Sequence, residues 1–398
     1  MKILIAIDTY QTNNNGTSIS AQRYADMLRQ HGHEVRILSV DSSDYRLSER
    51  HIYPFDRLIH KHGFRFANSL SSTSEQTIQD AVSWCDLVHC MMPFMLSHRV
   101  KQAADHLGKP ATAAFHIQPE NLTSSAGLGK VGWLNHMIYR LFYHMVYKHF
   151  RHVHTPSRFM AEELVKHGYD MRLYPISNGI DPSFCYRKRE KDAALRDKFV
   201  IVMTGRLSIE KRQDLLLKAA RQSRYANRIQ LIFAGKGPMY EHYQRLGEQL
   251  PLMPIFGYYK RTELQQLLAQ TDLYVHASDM ESEAIGCIEA FAMGLVPVIS
   301  NSPLSATRQF ALDNRSLFEA GNPQALAERI DYWIEHEGER HQMEKCYAEH
   351  AKGYHLKDCV IQFEQMLQKE IRDYNGTTHS IRCQENIQPL SSIALSCY

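Results

Sequence analysis

Two carboxylates eight residues apart, in Glu281-Ser-Glu-Ala-Ile-Gly-Cys-Ile-Glu289, are the side chains of this sequence best spaced to do chemistry. They stand between two apolar runs that read as strands, DLYVHAS (272–278) and LVPVIS (295–300). A strand, an acidic turn, a short helix and a second strand make one βα unit of a parallel sheet. In such sheets ligands bind beyond the carboxyl ends of the strands, where helix N-termini aim their amides outward. Glu281 is expected at that end, and Glu289 two turns into the helix. Ionised carboxylates only accept hydrogen bonds, and sugar hydroxyls can donate them. The stretch therefore predicts one wall of a nucleotide-sugar site.

A second wall needs positive charge. Gly205-Arg-Leu-Ser-Ile-Glu-Lys-Arg212 follows the apolar run FVIVMT and opens a helical pattern. Arg206 and Lys211 are expected to flank the crevice at that strand end, and two cations with a helix N-terminus can neutralise a diphosphate without a metal. Glu210 could pair with Lys211 or Arg212, or orient Lys211. The chain contains no Asp-x-Asp, the carboxylate pair that holds a metal on the diphosphate in the other common transferase architecture. Gly16, in Asn13-Asn14-Asn15-Gly16-Thr17-Ser18 after the first strand, can bring backbone amides near a phosphate. His116, in Ala-Phe-His-Ile-Gln-Pro-Glu120, ends a strand on the same side. Gly235-Lys-Gly-Pro238 lacks the spacing of a phosphate loop and reads as a strand-to-helix turn.

The elements that must position these residues alternate along the chain. Strands are expected at 2–7, 34–40, 86–90, 111–116 and 153–157, with helices between, such as 18–32. The turn-rich segment 174–184 and the charged run 187–198 mark a boundary, after which strands return at 199–205, 229–235, 253–257, 273–278 and 296–300. Helices fill 212–223, 238–249 and 262–270. The pattern is α/β: two Rossmann-like domains with parallel sheets facing across a cleft. The domains are expected at 1–178 (acceptor) and 179–355 (nucleotide sugar). A helix at 356–374 packs back on the first domain, and a tail follows at 375–398. Segment 45–75 has no clear pattern.

Bulk properties narrow the function classes. The chain has 398 residues and a formal net charge of +3, so a dedicated nucleic-acid partner is not expected. Eight cysteines without a CxxC pair indicate reduced thiols and neither a zinc site nor a disulfide framework. No signal peptide or membrane span is expected, which points to the cytoplasm.

Segment 127–155 is unusual. No Asp or Glu occurs between Glu120 and Glu162, while Lys130, Arg140, Lys148, Arg151 and Trp133 do. Leu134, Met137, Ile138, Leu141, Phe142, Met145 and Val146 recur at helical spacing. Such a helix can lie on an anionic membrane surface, or its apolar stripe can simply face a core.

Taken together, Gly16, GHEV (32–35), His116, NGID (178–181), GRL…EK (205–211), AGKGP (234–238) and the Glu281…Glu289 spacing resemble the retaining glycosyltransferases of family GT4, of GT-B fold, over about residues 1–372. The opening segment, FHIQPEN, the aromatic–basic helix and ESEAIGCIEA are most similar to the cholesterol and diacylglycerol α-glucosyltransferases. The resemblance implies that Glu281 contacts donor-sugar hydroxyls and Glu289 the ribose. Arg206 and Lys211 would bind the diphosphate, and His116 would line the sugar. Gly16 and Gly205 would admit the phosphates, and Gly257 and Tyr258 would offer contacts to the base. Many family members read Glu-x-Phe-Gly at the motif's start, whereas this chain has Glu283, Ala284 and Ile285 before its Gly286. The implied reaction moves a hexose, glucose from UDP-glucose, onto a sterol or diacylglycerol hydroxyl at the cytoplasmic face of a membrane. No cofactor is implied beyond that cosubstrate. The alternatives are a GDP-mannose-type donor with a polysaccharide or lipopolysaccharide acceptor, a nucleotide-sugar epimerase, or a non-catalytic binding protein.

Overall fold

The computed structural model describes residues 1–12, 16–51, 65–124 and 127–376. They pack as two compact units, one drawn from residues 1–119, 131–178 and 357–376, the other from 120–130 and 179–356. Segment 120–130, expected in the first domain, thus packs with the second unit. Residues 13–15, the middle of the expected 45–75 segment (52–64) and the tail beyond Gly376 lie outside the described residues.

The first unit is built on strands β1 (Lys2–Ala6), β2 (Glu34–Ser39), β3 (Tyr45–Arg46), β4 (Glu49–Arg50), β5 (Phe66–Ala67), β6 (Leu87–Cys90), β7 (Ala111–Ala114), β8 (His152–Thr155) and β9 (Arg172–Pro175). Its main sheet is parallel, in the order β3-β2-β1-β6-β7-β8-β9. Ile3, Leu4, Ile5 and Ala6 are all fully buried, as a strand covered by helices on both faces requires. Between the strands run α1 (Gly16–Gln30), α2 (Ser72–Trp84), α3 (Met95–His106), α4 (Pro119–Ser124), which packs with the second unit, α5 (Gly132–Met145) and α6 (Arg158–Lys166). Ser71 and Ser157 cap α2 and α6, their hydroxyls accepting from the Ser74 and Met160 amides at 3.2 Å. Strand β9 was not foreseen, because its residues fall partly within the turn-rich boundary.

The second unit repeats the design. Its strands are β10 (Phe199–Thr204), β11 (Ile229–Ala234), β12 (Ile255–Gly257), β13 (Leu273–His276), β14 (Met280–Glu281), β15 (Pro297–Ser300), β16 (Leu304–Ser305) and β17 (Leu317–Phe318). Its helices are α7 (Gln213–Gln222), α8 (Tyr240–Gly247), α9 (Arg261–Ala269), α10 (Ile285–Ala292), α11 (Pro323–Glu335) and α12 (Glu337–His350). The parallel sheet runs β12-β11-β10-β13-β15-β17, while β14 and β16 form a separate parallel pair. In both sheets the strands run outward from the first and then jump back to its other side. Such a reversal opens a crevice at the carboxyl ends of the two central strands. In the second unit these are β10 and β13.

A long terminal helix, α13 (Leu356–Gly376), returns to the first unit. Phe363 is fully buried there, stacked on Tyr24 at 4.5 Å and edge-on to His89 at 4.8 Å. Glu364 pairs with His31 and His33, both at 3.1 Å, and Asp373 with His152 at 3.0 Å and Arg172 at 2.9 Å. These ion pairs are partly buried and hold the helix at Glu364 and Asp373, and the fully buried Phe363 ring supplies its apolar anchor. Replacing Phe363 with Ala is expected to destabilise the first unit by about 3–5 kcal/mol, read as a lowered urea midpoint.

Candidate active site

The reversal in the second sheet explains why residues 70 apart in sequence meet. The loop after β10 carries Gly205, Arg206 and a single 3-10 turn, Ile209–Lys211. The loop after β13 carries β14 and the start of α10. The Lys211 Nζ donates to Glu281 Oε1 across this gap. His276, the last residue of β13, engages the same oxygen through Nε2 at 2.9 Å. Its Nδ1 lies 3.2 Å from the Tyr274 hydroxyl, which is 2.8 Å from Thr204 Oγ1 at the end of β10.

The Glu281 carboxyl is buried, and burial alone would raise its pKa. The Lys211 charge and the His276 contact outweigh that and hold it well below the usual carboxylate range. Glu281 is therefore an anion at neutral pH, an acceptor and not a general acid. Burial keeps the Tyr274 hydroxyl protonated, its pKa pushed well above the ordinary value.

Close backbone approach sets the rest of the crevice floor. Gly205 N–H donates to the Ala234 carbonyl at 3.0 Å, and Gly235 N–H to that of Gly257 at 2.7 Å. Leu207 N–H reaches the Lys236 carbonyl at 3.1 Å. A Cβ on Gly237 would lie 2.2 Å from the Leu207 oxygen, so the AGKGP turn has to be glycine there. Gly286 sits in the first turn of α10, and a Cβ on it would lie 2.3 Å from Thr204 Oγ1. Glycine brings the helix N-terminus down onto the end of β10, where its first amides have no intrahelical acceptor. Among the described residues, two non-glycines have positive φ: Ala284 at 76°, preceding this helix, and Arg212 at 57°, preceding α7. Both flank the crevice, where strained backbone commonly concentrates.

Several expected roles change in detail. Glu210 accepts from the Ser208 hydroxyl, while Lys211 takes Glu281. Arg212 bonds Asp214 at 3.0 Å and Asp279 at 3.2 Å. Glu281 lies in a two-residue strand outside the main sheet, and Glu289 is half-buried about one turn into α10, not two. Spacing places Glu289 on the face of Ile285 and Gly286. Glu283 is buried. Gly257 ends β12, and Tyr258 beside it is exposed, with Lys236 Nζ 4.9 Å from its ring centre.

Gly16 and His116 belong to the first unit. Gly16 opens α1. His116 follows β7, buried and edge-on to His154 at 5.1 Å. Burial, then the neighbouring His154 and His89, push its pKa well below the ordinary value, so it is a neutral imidazole. Its Nε2 is buried without a hydrogen-bond partner among the described residues.

The basic segment divides. Helix α5 turns Asn135, Tyr139 and Phe142 inward. Trp133, Met137 and Leu141 face out, at 69%, 58% and 57% exposure. The apolar stripe is thus not a single core face, because side chains on two faces share helical spacing. Arg140 and Lys148 are exposed. Lys130 instead pairs with Asp279 at 3.0 Å, and Arg151 donates to the Asp373 carbonyl on α13 at 3.3 Å. His276, Tyr274 and Thr204 were missed, although a histidine in the buried run LYVH, five residues before Glu281, was a visible signal.

Two α/β units of this strand order, with cations and a carboxylate at the reversal of the second, define a GT-B glycosyltransferase. Residues 14–184 match the family model described as Glycosyltransferase Family 4, and residues 187–350 match Glycosyl transferases group 1. The chain belongs to family 4 and is a hexosyl-transferring enzyme. It is 26% identical over 325 residues to a GDP-mannose-dependent alpha-mannosyltransferase of Mycolicibacterium smegmatis, covering 75% of this chain and 79% of that one. The structure of Anabaena HepE with UDP matches 93% of this chain and 100% of its own, at 18% identity and a TM-score of 0.73. The catalytic domain of cholesterol-alpha-glucosyltransferase from Helicobacter pylori is 49% identical across 39% of this chain and 98% of its own, but its TM-score of 0.38 gives that match no weight for function.

The Lys211–Glu281 pair has a pH signature. A folded-state pKa below the ordinary 4.5 means that the ionised carboxylate stabilises the fold above that pH, and that this stability fades as pH falls through the folded value. In Lys211→Met, burial is opposed only by His276, so the carboxyl pKa rises. The wild type is expected to exceed the variant most in stability at neutral pH, and the gap to close on acidification below 4.5. Denaturant midpoints of both proteins across that range check it.

Proposed function

We propose that the enzyme moves a hexose from a nucleotide sugar, UDP-glucose first among candidates, onto the hydroxyl of a membrane lipid such as a sterol or diacylglycerol, with the α-configuration kept. The observation that carries the transfer chemistry is the second unit's crevice, where Lys211 and the α10 N-terminus lie beside the anionic Glu281; Arg206, on the same loop as Lys211, is assigned to the diphosphate with it. Those groups suit a diphosphate leaving group, with the carboxylate accepting from sugar hydroxyls and Glu289 from the ribose. Gly257 and Tyr258 are assigned to the base.

Glu281 is engaged by Lys211 and His276 and is not assigned as a glycosyl nucleophile. The reading is therefore front-face displacement. The acceptor oxygen bonds to the anomeric carbon as the bond to the diphosphate oxygen breaks on the same face. That departing oxygen takes the acceptor proton. Lys211 and Arg206 stabilise the charge it gathers, with no metal assigned. Removing one such group costs about 10²–10³-fold in kcat. Lys211→Ala is expected to fall by that factor in product formation, measured by mass spectrometry with nucleotide sugars and lipid extract. A folded variant with wild-type turnover would remove Lys211 from the mechanism.

The lipid acceptor rests on α5. Trp133, Met137 and Leu141 form an outward stripe at i, i+4 and i+8, flanked by the exposed Arg140 and Lys148 in a stretch without acids. An aromatic and aliphatic stripe with basic flanks suits the interface of an anionic bilayer. Among the described residues no helix is long and apolar enough to cross a membrane, so this reading is peripheral attachment at the cytoplasmic face. Changing all three stripe residues to Ser is expected to weaken binding to anionic liposomes and transfer to lipid, while slow donor hydrolysis persists. Unchanged liposome binding would sink the lipid reading.

A second reading has its own support. The similar mannosyltransferases are named for GDP-mannose, which favours that donor with a glycan acceptor. Parallel assays with UDP-glucose and GDP-mannose separate the two.

A further inference from the structure

His276 is fully enclosed at the end of β13, and its two ring nitrogens meet Tyr274 on one side and Glu281 on the other. We propose that His276 is a positioning residue for glycosyl transfer: it clamps one oxygen of Glu281 in concert with Lys211, and its own tautomer is fixed by the Tyr274–Thr204 hydroxyl pair beneath it. The proposal rests on the donor-site reading given above.

The direction of each hydrogen bond follows from chemistry. Ionised Glu281 can only accept, so His276 Nε2 carries the proton. Nδ1 lies 3.2 Å from the hydroxyl of Tyr274, which burial holds protonated, so that hydroxyl is the donor offered to it. With its proton committed there, the Tyr274 oxygen accepts from Thr204. The row Thr204→Tyr274→His276→Glu281 therefore points one way, and each member has a single role. Both described partners of Glu281 engage Oε1. The other oxygen, Oε2, is left to accept from a hydroxyl of the donor sugar.

The row is tied into the crevice at both ends. Thr204 is the residue against which Gly286 packs, so the first turn of α10 rests on it. Lys211 shares Glu281 Oε1 and is the cation assigned to the leaving group. His276 thus fixes the carboxylate relative to both anion-binding groups. Without it, Glu281 can swing toward Lys211 alone, and Oε2 loses its aim. A misplacement of about 1 Å at such a point can cost on the order of 10²-fold in rate.

The experiment compares His276→Leu, His276→Gln and Tyr274→Phe with the wild type, using UDP-glucose and GDP-mannose as donors and UDP and GDP as binding probes. Gln can place its amide N–H near the position of Nε2, whereas Leu fills space without donating. Folding is followed by circular dichroism and by the thermal shift that the nucleotide gives.

For His276→Leu we expect a fall in kcat on the order of 10²-fold, with UDP or GDP affinity kept within about twofold. His276→Gln should recover most of the loss. Tyr274→Phe should lower kcat by a smaller factor at unchanged nucleotide affinity, because it frees the tautomer without emptying the site. The proposal is overturned if Tyr274→Phe and a folded His276→Leu both keep wild-type kcat. It is equally overturned if nucleotide affinity and turnover fall together, which marks a purely structural residue, or if Gln rescues nothing. If the wild type turns over neither donor, the donor-site reading itself fails, and that is seen before any variant is made.

Discussion

The second unit depends on keeping one buried carboxylate charged. Glu281 stands where burial favours its neutral form, and a neutral carboxyl there would be a poor acceptor for sugar hydroxyls. Lys211 and His276 reverse the balance from opposite sides of a strand reversal. The parallel sheet makes this possible, because β10 and β13 are neighbours in space though 70 residues separate the two partners. A sheet with its strands in sequential order would put those loops on different strand pairs.

That ion pair works only if the loops around it come close, and the glycines permit this. At Gly237 and Gly286 any side chain would collide with Leu207 or Thr204. The same contacts bring a helix N-terminus and the Lys211 ammonium toward one crevice. Positive potential there comes from geometry as much as from charge, since the chain as a whole is nearly neutral. Ala284 and Arg212 hold left-handed backbone next to it. These strained links are fixed by the packing on either side.

The first unit meets a different constraint. Its sheet is parallel and needs cover on both faces, and α13 supplies part of it from the far end of the sequence. Helix α5 gives only one face to this packing, through Tyr139 and Phe142. The other face keeps a tryptophan, a methionine and a leucine in solvent beside two cations. Burial of the inner face does not require that outer stripe, and the stripe is what the proposed lipid attachment rests on.

Much of this protein was legible in its residues. Alternating apolar runs fixed the α/β class, since fully buried parallel strands read as continuous Val, Ile and Leu stretches. Glycine and proline turns marked most strand ends to within a residue or two, and Arg206, Lys211, Glu281 and Glu289 stood out by charge at those ends. Very short strands such as β14 and β17 were invisible, because two residues carry no period. Pairing was also invisible. Whether Lys211 takes Glu210 or Glu281, and whether Lys130 faces solvent or Asp279, depends on which loops the sheet brings together. The sequence set out the carboxylates, the cations and the glycines. Only the tertiary structure decided that a histidine on β13 completes the clamp and that Trp133 faces out, because both depend on neighbours remote in sequence.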